Sequence, residues 1–185
     1  ALAWPLVGGE PLFVSVNVSV RQLRQPGLTA EVAAALRDTG LPATRLHVEL
    51  TESALLDDQP LALNTLADLR QSGIRIWLDD FGTGFSGLSH LRRVPVDGVK
   101  IDRSFTQDLL TDRDDLALTH AIIALATSLG IPAVAEGIES GAQLEVLRNL
   151  RCDLGQGYWF GYPMSQGDLL EVLEQPERVV AGADD

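Results

Sequence analysis

The chain alternates short apolar runs with longer segments in which apolar residues recur at helical spacing. The apolar runs are typical of strands and cover 12–18, 46–50, 74–78, 98–101, 133–135 and, with a less regular pattern, 155–160. The segments of helical spacing cover 29–39, 61–72, 88–92, 115–129, 141–150 and 166–173. Strand and helix alternate throughout, which predicts parallel βα units in one α/β domain over 1–175, followed by a tail at 176–185.

Glycine and proline fall where such units need them. Gly40, Gly73 and Gly130 each follow a helical segment and precede a strand, which is the usual place of a C-terminal cap. Pro60 opens the second long helix in its first turn, where a missing N–H costs little. These positions support the predicted boundaries of the elements.

Polar side chains stand near the carboxyl ends of the predicted strands. Period-two alternation places them on the face opposite the apolar one. They are Asn17, Glu49, Asp79, Lys100 and Glu136, with Gln156 on the sixth run. A doubly wound open sheet binds its ligand in one crevice, whereas a βα barrel gathers functional groups from the carboxyl ends of many strands. The pattern therefore favours a TIM-like barrel.

Composition and charge narrow the possible partners. With 185 residues, 45% of them hydrophobic, the chain can form one sizeable core, and its net charge of −12 disfavours DNA and anionic membranes. Phosphate chemistry would therefore need metal ions. Cys152 is the single cysteine, no apolar run approaches the roughly 18 residues of a membrane span, and the first residues given lack the basic start of a signal peptide. We expect a cytoplasmic domain, in a parent protein that a membrane anchor elsewhere could hold.

The polar groups at the strand ends form a set of hard oxygen ligands. Such ligands suit Mg²⁺ or Mn²⁺ rather than zinc. The adjacent Asp79 and Asp80 could serve two ions, as two-metal phosphodiester hydrolases require. Lys100 would orient water or neutralise phosphate charge, and Glu136 would bind the second ion or accept a proton. The alternatives are structural: a turn residue at Asn17, a cap at the aspartate pair, and a simple ion pair between Lys100 and Glu136.

The segment after the aspartate pair, GTGFSG at 82–87, is rich in glycine. It lacks the Gly-Lys-Ser/Thr ending of a nucleotide-binding P-loop, so we expect a mobile loop beside a metal site. Glu52 either braces this loop or begins a helix. The histidines His47, His90 and His120 have no metal-ligand spacing and are expected in the core or on the surface.

Six ordered motifs carry a resemblance to a known family. They are VSVNVS, LHVELTES, WLDDFGTGFSGLSHL, VPVDGVKIDRSF, AVAEGIE and CDLGQGYWF. In order and spacing they resemble the later blocks of the EAL domain, a bacterial cyclic di-GMP phosphodiesterase with a TIM-like barrel. The resemblance runs from about Trp4 to about Met164 and implies hydrolysis of cyclic di-GMP to linear pGpG with Mg²⁺ or Mn²⁺. The alternative is a receptor or regulatory module that binds cyclic di-GMP without turnover.

The resemblance also implies roles for individual positions. The implied metal ligands are Asn17, Glu49, Asp79 and Asp80. The implied catalytic residues are Lys100, which would contact the attacking water, Glu136, as general base or second-metal ligand, and Gln156. The residues expected to contact the substrate are Asp102, Glu139 and Tyr158. Glu52 matches the glutamate that anchors the loop after the aspartate pair.

The sequence departs from the family pattern in four places. The Glu-Ala-Leu segment and its metal-ligating glutamate are absent. Six of the expected eight βα units are present, so we expect a piece of a longer protein, with weak or no activity by itself. Trp77 stands where the family usually has a small residue, and Tyr162 replaces a basic one. The expected partners are cyclic di-GMP, upstream sensory or GGDEF-type domains, and a second copy in a homodimer.

Overall fold

The computed structural model describes residues 4–7, 9–52, 60–84 and 96–174. The predicted short helix at 88–92, His90 and the tail at 176–185 lie outside the described residues. Near the start of the chain, β1 (Leu6–Val7) and β2 (Glu10–Pro11) pair as a small antiparallel hairpin. This hairpin precedes the main sheet and is separate from it.

A parallel sheet of six strands forms the centre of the fold. Its strands are β3 (Val14–Asn17), β4 (Leu46–Thr51), β5 (Arg75–Phe81), β6 (Gly98–Ile101), β7 (Ala133–Ala135) and β8 (Leu154–Gly155). Their order in space is their order along the chain, whereas a doubly wound sheet reverses its strand order at a switch point. The prediction of an incomplete TIM-like barrel with six βα units is thereby confirmed.

Seven α-helices connect or follow the strands in the described part of the chain. They are α1 (Val20–Leu23), α2 (Leu28–Thr39), α3 (Pro60–Gln71), α4 (Arg103–Gln107), α5 (Arg113–Leu129), α6 (Gly141–Asn149) and α7 (Gln166–Glu174), with a 3₁₀ turn at Ala43–Arg45. Helices α1 and α4 were not predicted, because four or five residues are too few to show a helical period. None of the described helices is long and apolar enough to cross a membrane.

The last strand is shorter than the predicted run at 155–160, since β8 covers only Leu154–Gly155. Beyond it the chain turns toward the loop after β7: Ile138 N–H donates to the Gln156 carbonyl at 3.1 Å, and Trp159 N–H donates to the Ile138 carbonyl at 2.9 Å. Gly157 permits this approach, since a Cβ there would lie 2.1 Å from the Ile138 carbonyl oxygen. The turn holds Gln156 at the carboxyl end of the sheet.

The apolar face of the sheet packs beneath the helices. Its buried residues, each at most 2% exposed, are Val48, Leu50, Ile76, Leu78, Val99, Ile101, Ala133 and Ala135. Leu69 of α3 and Ile123 of α5 belong to the same core. The edge strand differs from expectation: Val16, predicted on the covered face, is 45% exposed, because β3 pairs only with β4 in the described part of the chain. The apolar side chains of the central strands are therefore buried more completely than those of the edge strand β3.

Helix α5 begins at a side-chain cap. Asp112 accepts hydrogen bonds from the backbone N–H of Asp114 at 2.7 Å and of Asp115 at 3.4 Å. We expect Asp112→Ala to lower the free energy of unfolding by about 1 kcal/mol, because those donors lose their acceptor. Asp112→Asn keeps an acceptor and should cost far less. Urea unfolding followed by circular dichroism measures both variants, and equal losses would contradict a capping role.

Candidate active site

Strand register brings polar residues together at the carboxyl ends of the sheet. Asn17 of β3 pairs with Glu49 of β4, and Thr51 pairs with Asp79 of β5. Paired residues of neighbouring parallel strands share a face, so these side chains lie on the same side of the sheet. Lys100 of β6 lies on that side as well, since it contacts both Glu49 and Asp79.

Lys100 is the centre of this cluster. Its Nζ lies 2.9 Å from Glu49 Oε2, 3.0 Å from Asp79 Oδ1 and 2.6 Å from Glu136 Oε1. The contact with Glu49 is a hydrogen bond, whereas Asp79 Oδ1 lacks hydrogen-bond geometry and is attracted by charge. Burial by itself would lower the pKa of Lys100, but the three carboxylates outweigh burial and raise that pKa well above its ordinary value. Lys100 is therefore a fixed cation.

An irregularity in β5 brings a second aspartate to the cluster. The pairing of β5 with β6 shifts register between Leu78 and Phe81, and Asp80 has a left-handed φ of 54°. In a regular strand Asp80 would point away from Asp79. Here carboxylate oxygens of Asp79, Asp80 and Glu136 lie within 4.8 Å of one another. The distorted backbone thus lets adjacent aspartates serve one site.

Crowding of the carboxylates changes their acidity. Burial, followed by the charges of Asp79 and Asp102, raises the pKa of Asp80. Burial also raises the pKa of Glu136, and repulsion from neighbouring carboxylates adds to this, although Lys100 acts in the opposite direction. The protein groups around these two carboxylates therefore leave part of their negative charge uncompensated. A divalent cation would supply the missing positive charge.

Asp102 lies beside the cluster at the start of α4. Its carboxylate accepts a hydrogen bond from Ser104 N–H at 2.9 Å and so caps this helix. Burial would raise the pKa of Asp102, but hydrogen bonds from Ser104 and Asp80 outweigh burial and lower it. Of the two neighbouring aspartates, Asp80 is therefore the more readily protonated, and Asp102 stays ionised.

The remaining predicted residues have exposed side chains. Gln156 lines a cavity of about 290 Å³ that reaches the charged cluster. The side chain of Asn17 is exposed beside Glu49, and that of Glu139 is exposed on the loop before α6. Tyr158 is 54% exposed and stacks on Tyr162, with ring centroids 4.6 Å apart. The structure thus places Asn17 and Gln156 beside the cluster of Lys100 and the carboxylates.

Glu52 links strand β4 to the loop after the aspartates. It is 4% exposed, and its Oε2 accepts hydrogen bonds from the N–H of Gly82 at 3.3 Å and of Gly84 at 3.2 Å. Gly84 admits this contact, because a Cβ there would lie 2.8 Å from the Glu52 carboxyl carbon. The first part of the loop is therefore held against β4, while residues 85–87 lie outside the described part of the chain.

The Glu52 contact predicts an effect on metal binding. We expect Glu52→Ala to weaken the binding of Mn²⁺ by about 10-fold to 100-fold, because groups that orient metal ligands have effects of this size. Glu52→Gln keeps one acceptor oxygen and should lose less. Isothermal titration calorimetry with Mn²⁺ measures both variants. Unchanged affinity in Glu52→Ala would show that the anchored loop does not orient the site.

Ser15 is a neighbour of the cluster that the sequence reasoning did not single out. Its hydroxyl donates a hydrogen bond to Glu49 Oε1. Alternation places Ser15 on the same strand face as Asn17, but a serine in a strand is too common to mark a site. The described histidines lie apart from the carboxylate cluster's centre: His47 is buried between aromatic rings, and His120 is exposed.

The donor set fits a hard divalent cation. Asp79, Asp80 and Glu136 offer carboxylate oxygens to one small volume, and Glu49 lies within the same charge network. Mg²⁺ and Mn²⁺ prefer such oxygen ligands, whereas zinc favours histidine and cysteine. The pKa values of Asp80 and Glu136 are raised, as expected for carboxyl groups whose negative charge is not balanced by neighbouring cations. These residues are therefore suited to hold metal.

Known proteins resemble the chain in sequence and in fold. The EAL domain family matches residues 2–163. The cyclic di-GMP phosphodiesterase NbdA of Pseudomonas aeruginosa is 42% identical over 168 residues, which are 91% of this chain and 22% of NbdA. The structure of the MucR phosphodiesterase of the same organism with cyclic di-GMP has a TM-score of 0.81 at 41% identity, covering 85% of this chain and 64% of that one. The manganese and cyclic di-GMP complex of Klebsiella pneumoniae BlrP1 has a TM-score of 0.77 at 28% identity, with 82% and 39% covered.

The matches cover most of this chain but only a small part of its longer relatives. The chain spans about a fifth of the length of the first curated relatives, 21% and 22%. The family match, in contrast, covers most of the chain and includes the strands that carry Glu49, the aspartate pair and Lys100, and Glu136 directly after β7. The chain therefore belongs to the EAL domain family.

Proposed function

We propose that this domain, within its full-length protein, hydrolyses cyclic di-GMP to linear pGpG with Mg²⁺ or Mn²⁺. The observation that carries the proposal is the cluster of Asp79, Asp80 and Glu136 around Lys100, at the carboxyl ends of a parallel sheet. Phosphodiester hydrolysis needs positive charge near the phosphate and a base near the attacking water. Relatives with this domain, including NbdA and MucR, are named cyclic di-GMP phosphodiesterases.

The proposed metal ligands are the carboxylates of the cluster and the neighbouring amide. They are Asn17, Glu49, Asp79 and Asp80, with Glu136 as a further ligand or as the base. Bound metal would lower the pKa of water and stabilise charge on the phosphate. The support for this assignment is the close approach of the carboxylate oxygens and the hard-oxygen chemistry of the set.

Lys100 and Glu136 have distinct proposed roles in the reaction. Lys100 is a fixed cation, so it would orient the attacking water and offset the charge that develops on the phosphate. Glu136 has a raised pKa, which makes it a stronger base than an ordinary carboxylate. The water oxygen would bond to phosphorus as its proton passes to Glu136. The P–O bond to the ribose oxygen would break, and that oxygen would take a proton from solvent to leave as a hydroxyl. Gln156 would complete the wall of the site from β8.

The substrate-contacting residues are proposed from the positions that the family resemblance implies. Asp102 would position Asp80 and the sugar-phosphate backbone, and Glu139 would reach the site from the loop after β7. Tyr158 and Tyr162 present stacked, exposed rings, a surface on which a guanine base could lie. An aromatic ring at Tyr162 would then take the part of the basic residue usual in the family.

We also propose which domains accompany this one, where it is located and how it associates. Relatives several times longer than this chain, named as sensors and signalling proteins, support upstream sensory or GGDEF-type domains. We place the domain in the cytoplasm, with a second copy as partner in a homodimer. Size measurement of the full-length protein tests the dimer.

Metal removal tests the proposed reaction. The full-length protein is incubated with cyclic di-GMP and Mn²⁺ or Mg²⁺, and products are separated by chromatography. We expect pGpG to form, a chelator to abolish its formation, and added Mn²⁺ to restore it, because the carboxylates need the cation. Binding of cyclic di-GMP without pGpG would assign the receptor role instead. Turnover that persists in excess chelator would remove the metal assignment.

A further inference from the structure

Trp77 lies directly beneath the charged cluster. On β5 it pairs with Glu49 of one neighbouring strand and with Gly98 of the other. Asp79 follows two residues later and shares its face, as Lys100 does with Gly98. Trp77 is 5% exposed, so its indole is enclosed at the level just below the carboxylates.

Gly98 makes room for the indole. A Cβ at Gly98 would lie 2.5 Å from Cζ3 and 2.6 Å from Cε3 of Trp77, distances that no side chain tolerates without movement. The ring has little freedom to move, because His47 stacks on it at 5.7 Å between centroids and Phe13 stacks on His47 at 3.9 Å. Trp77 and Gly98 therefore form a matched pair, in which the large ring covers the bare backbone.

The indole and the charged cluster line the same cavity. The cavity of about 290 Å³ beside the sheet is lined by Trp77, His47, Glu49 and Lys100. Lys100 is only 6% exposed, so little water reaches its ammonium while the indole occupies the level below. If the ring were removed, the volume it fills would join this cavity and more water would reach the ion pairs. Ion pairs weaken as the surrounding dielectric rises.

We propose that Trp77 is a positioning residue: its indole, admitted by Gly98, is the apolar floor that holds Glu49 and Lys100 in place for metal binding. This inference rests on the metal site of the proposed function. Preorganised ligands bind a cation more tightly than mobile ones, since less freedom is lost on binding. Trp77 thus acts through Glu49 and Lys100 and touches neither metal nor substrate.

The test measures Mn²⁺ affinity in the full-length protein by electron paramagnetic resonance of the free ion. We expect Trp77→Ala to weaken Mn²⁺ binding by about 10-fold to 100-fold, the range found for groups that orient metal ligands. The kcat for cyclic di-GMP should fall by a similar factor with KM little changed. Gly98→Ala should act in the same direction by displacing the ring. In the Trp77→Ala background, Gly98→Ala should add nothing, because the methyl group then has room.

A matched control separates positioning from general stability. Leu69→Ala removes a side chain that is 1% exposed and belongs to the core beneath α3, so it should lower the melting temperature and leave Mn²⁺ affinity unchanged. If Trp77→Ala does not fold, Trp77→Phe and Gly98→Ala give the same readout with smaller losses. Variants at both positions that bind Mn²⁺ like the native protein would overturn the inference.

The outcomes also separate this inference from the proposed function. A protein that binds Mn²⁺ but does not hydrolyse cyclic di-GMP would refute the enzyme, while the affinity changes at Trp77 and Gly98 would still support the positioning role. A native protein that binds no Mn²⁺ would overturn the positioning role directly. Additive losses of affinity in the double variant would refute the matched pair of Trp77 and Gly98.

Discussion

Asp79→Asn is expected to reduce hydrolysis of cyclic di-GMP by about 10³-fold. The amide has almost the same shape as the carboxylate, but it has no charge to attract a cation and no ion pair with Lys100. A metal contributes several kcal/mol to stabilising such a transition state, and about 1.4 kcal/mol corresponds to tenfold in rate. Product formation by the full-length protein in Mn²⁺ measures the rate, and calorimetry measures the metal affinity.

The control for Asp79→Asn removes the same charge elsewhere. Asp114 is exposed in the first turn of α5, so Asp114→Asn changes the net charge equally without touching the cluster. It should leave the rate unchanged. A native rate in Asp79→Asn would mean that Asp79 is not a metal ligand, and equal losses in both variants would point to overall charge as the cause.

Much of the site could be predicted because strand geometry is regular. Alternation along a strand fixes the face of each residue, so the sequence placed Glu49, Asp79 and Lys100 on one side without knowledge of the strand pairing. The structure shows the three in contact. Glu136 was placed by the same rule, since it follows β7 directly, and its oxygen lies 2.6 Å from Lys100 Nζ.

Asp80 could not be placed by that rule. Alternation sends adjacent residues to opposite faces, so strand geometry by itself points Asp80 away from Asp79. The left-handed backbone at Asp80 and the register shift against β6 instead bring both carboxylates toward Glu136. Such an irregularity depends on how two strands meet, which the residues of one strand do not determine.

The pair of Trp77 and Gly98 shows a second limit of sequence reasoning. Alternation puts Trp77 on the face of Asp79 and Gly98 on the face of Lys100. The two residues are 21 positions apart, however, and only the pairing of β5 with β6 shows that one fills the space left by the other. The same holds at the sheet edge, where Val16 is exposed because cover depends on neighbouring elements. The fold class and the strand face of each residue were thus predictable. The pairing of the strands and the packing of one side chain against another required the structure.

Lys100→Met should be most damaging when metal is absent. Lys100 is 6% exposed and lies between three carboxylates, so its loss leaves their charges facing one another. Breaking a buried ion pair in this way costs about 3 to 5 kcal/mol. We therefore expect a large fall in melting temperature in chelator. Bound Mn²⁺ would compensate the same carboxylates, so the fall should be much smaller in Mn²⁺, while hydrolysis stays about 10²-fold to 10³-fold reduced because the donor to the transition state is gone.

A stability loss in Lys100→Met that shrinks when Mn²⁺ is present would identify the carboxylates around Lys100 as the metal ligands. A second, more exposed ion pair provides the comparison. Arg70 and Asp97 form a pair at 3.1 Å whose side chains are 42% and 24% exposed. Arg70→Met should cost at most about 1 kcal/mol, because solvent screens exposed pairs, and it should cost the same with and without Mn²⁺. If Lys100→Met likewise lost equal stability in chelator and in Mn²⁺, the cation would not share the carboxylates of Lys100. The proposed ligands Asp79 and Glu136 would then be wrong, since both lie within 3.0 Å of its ammonium.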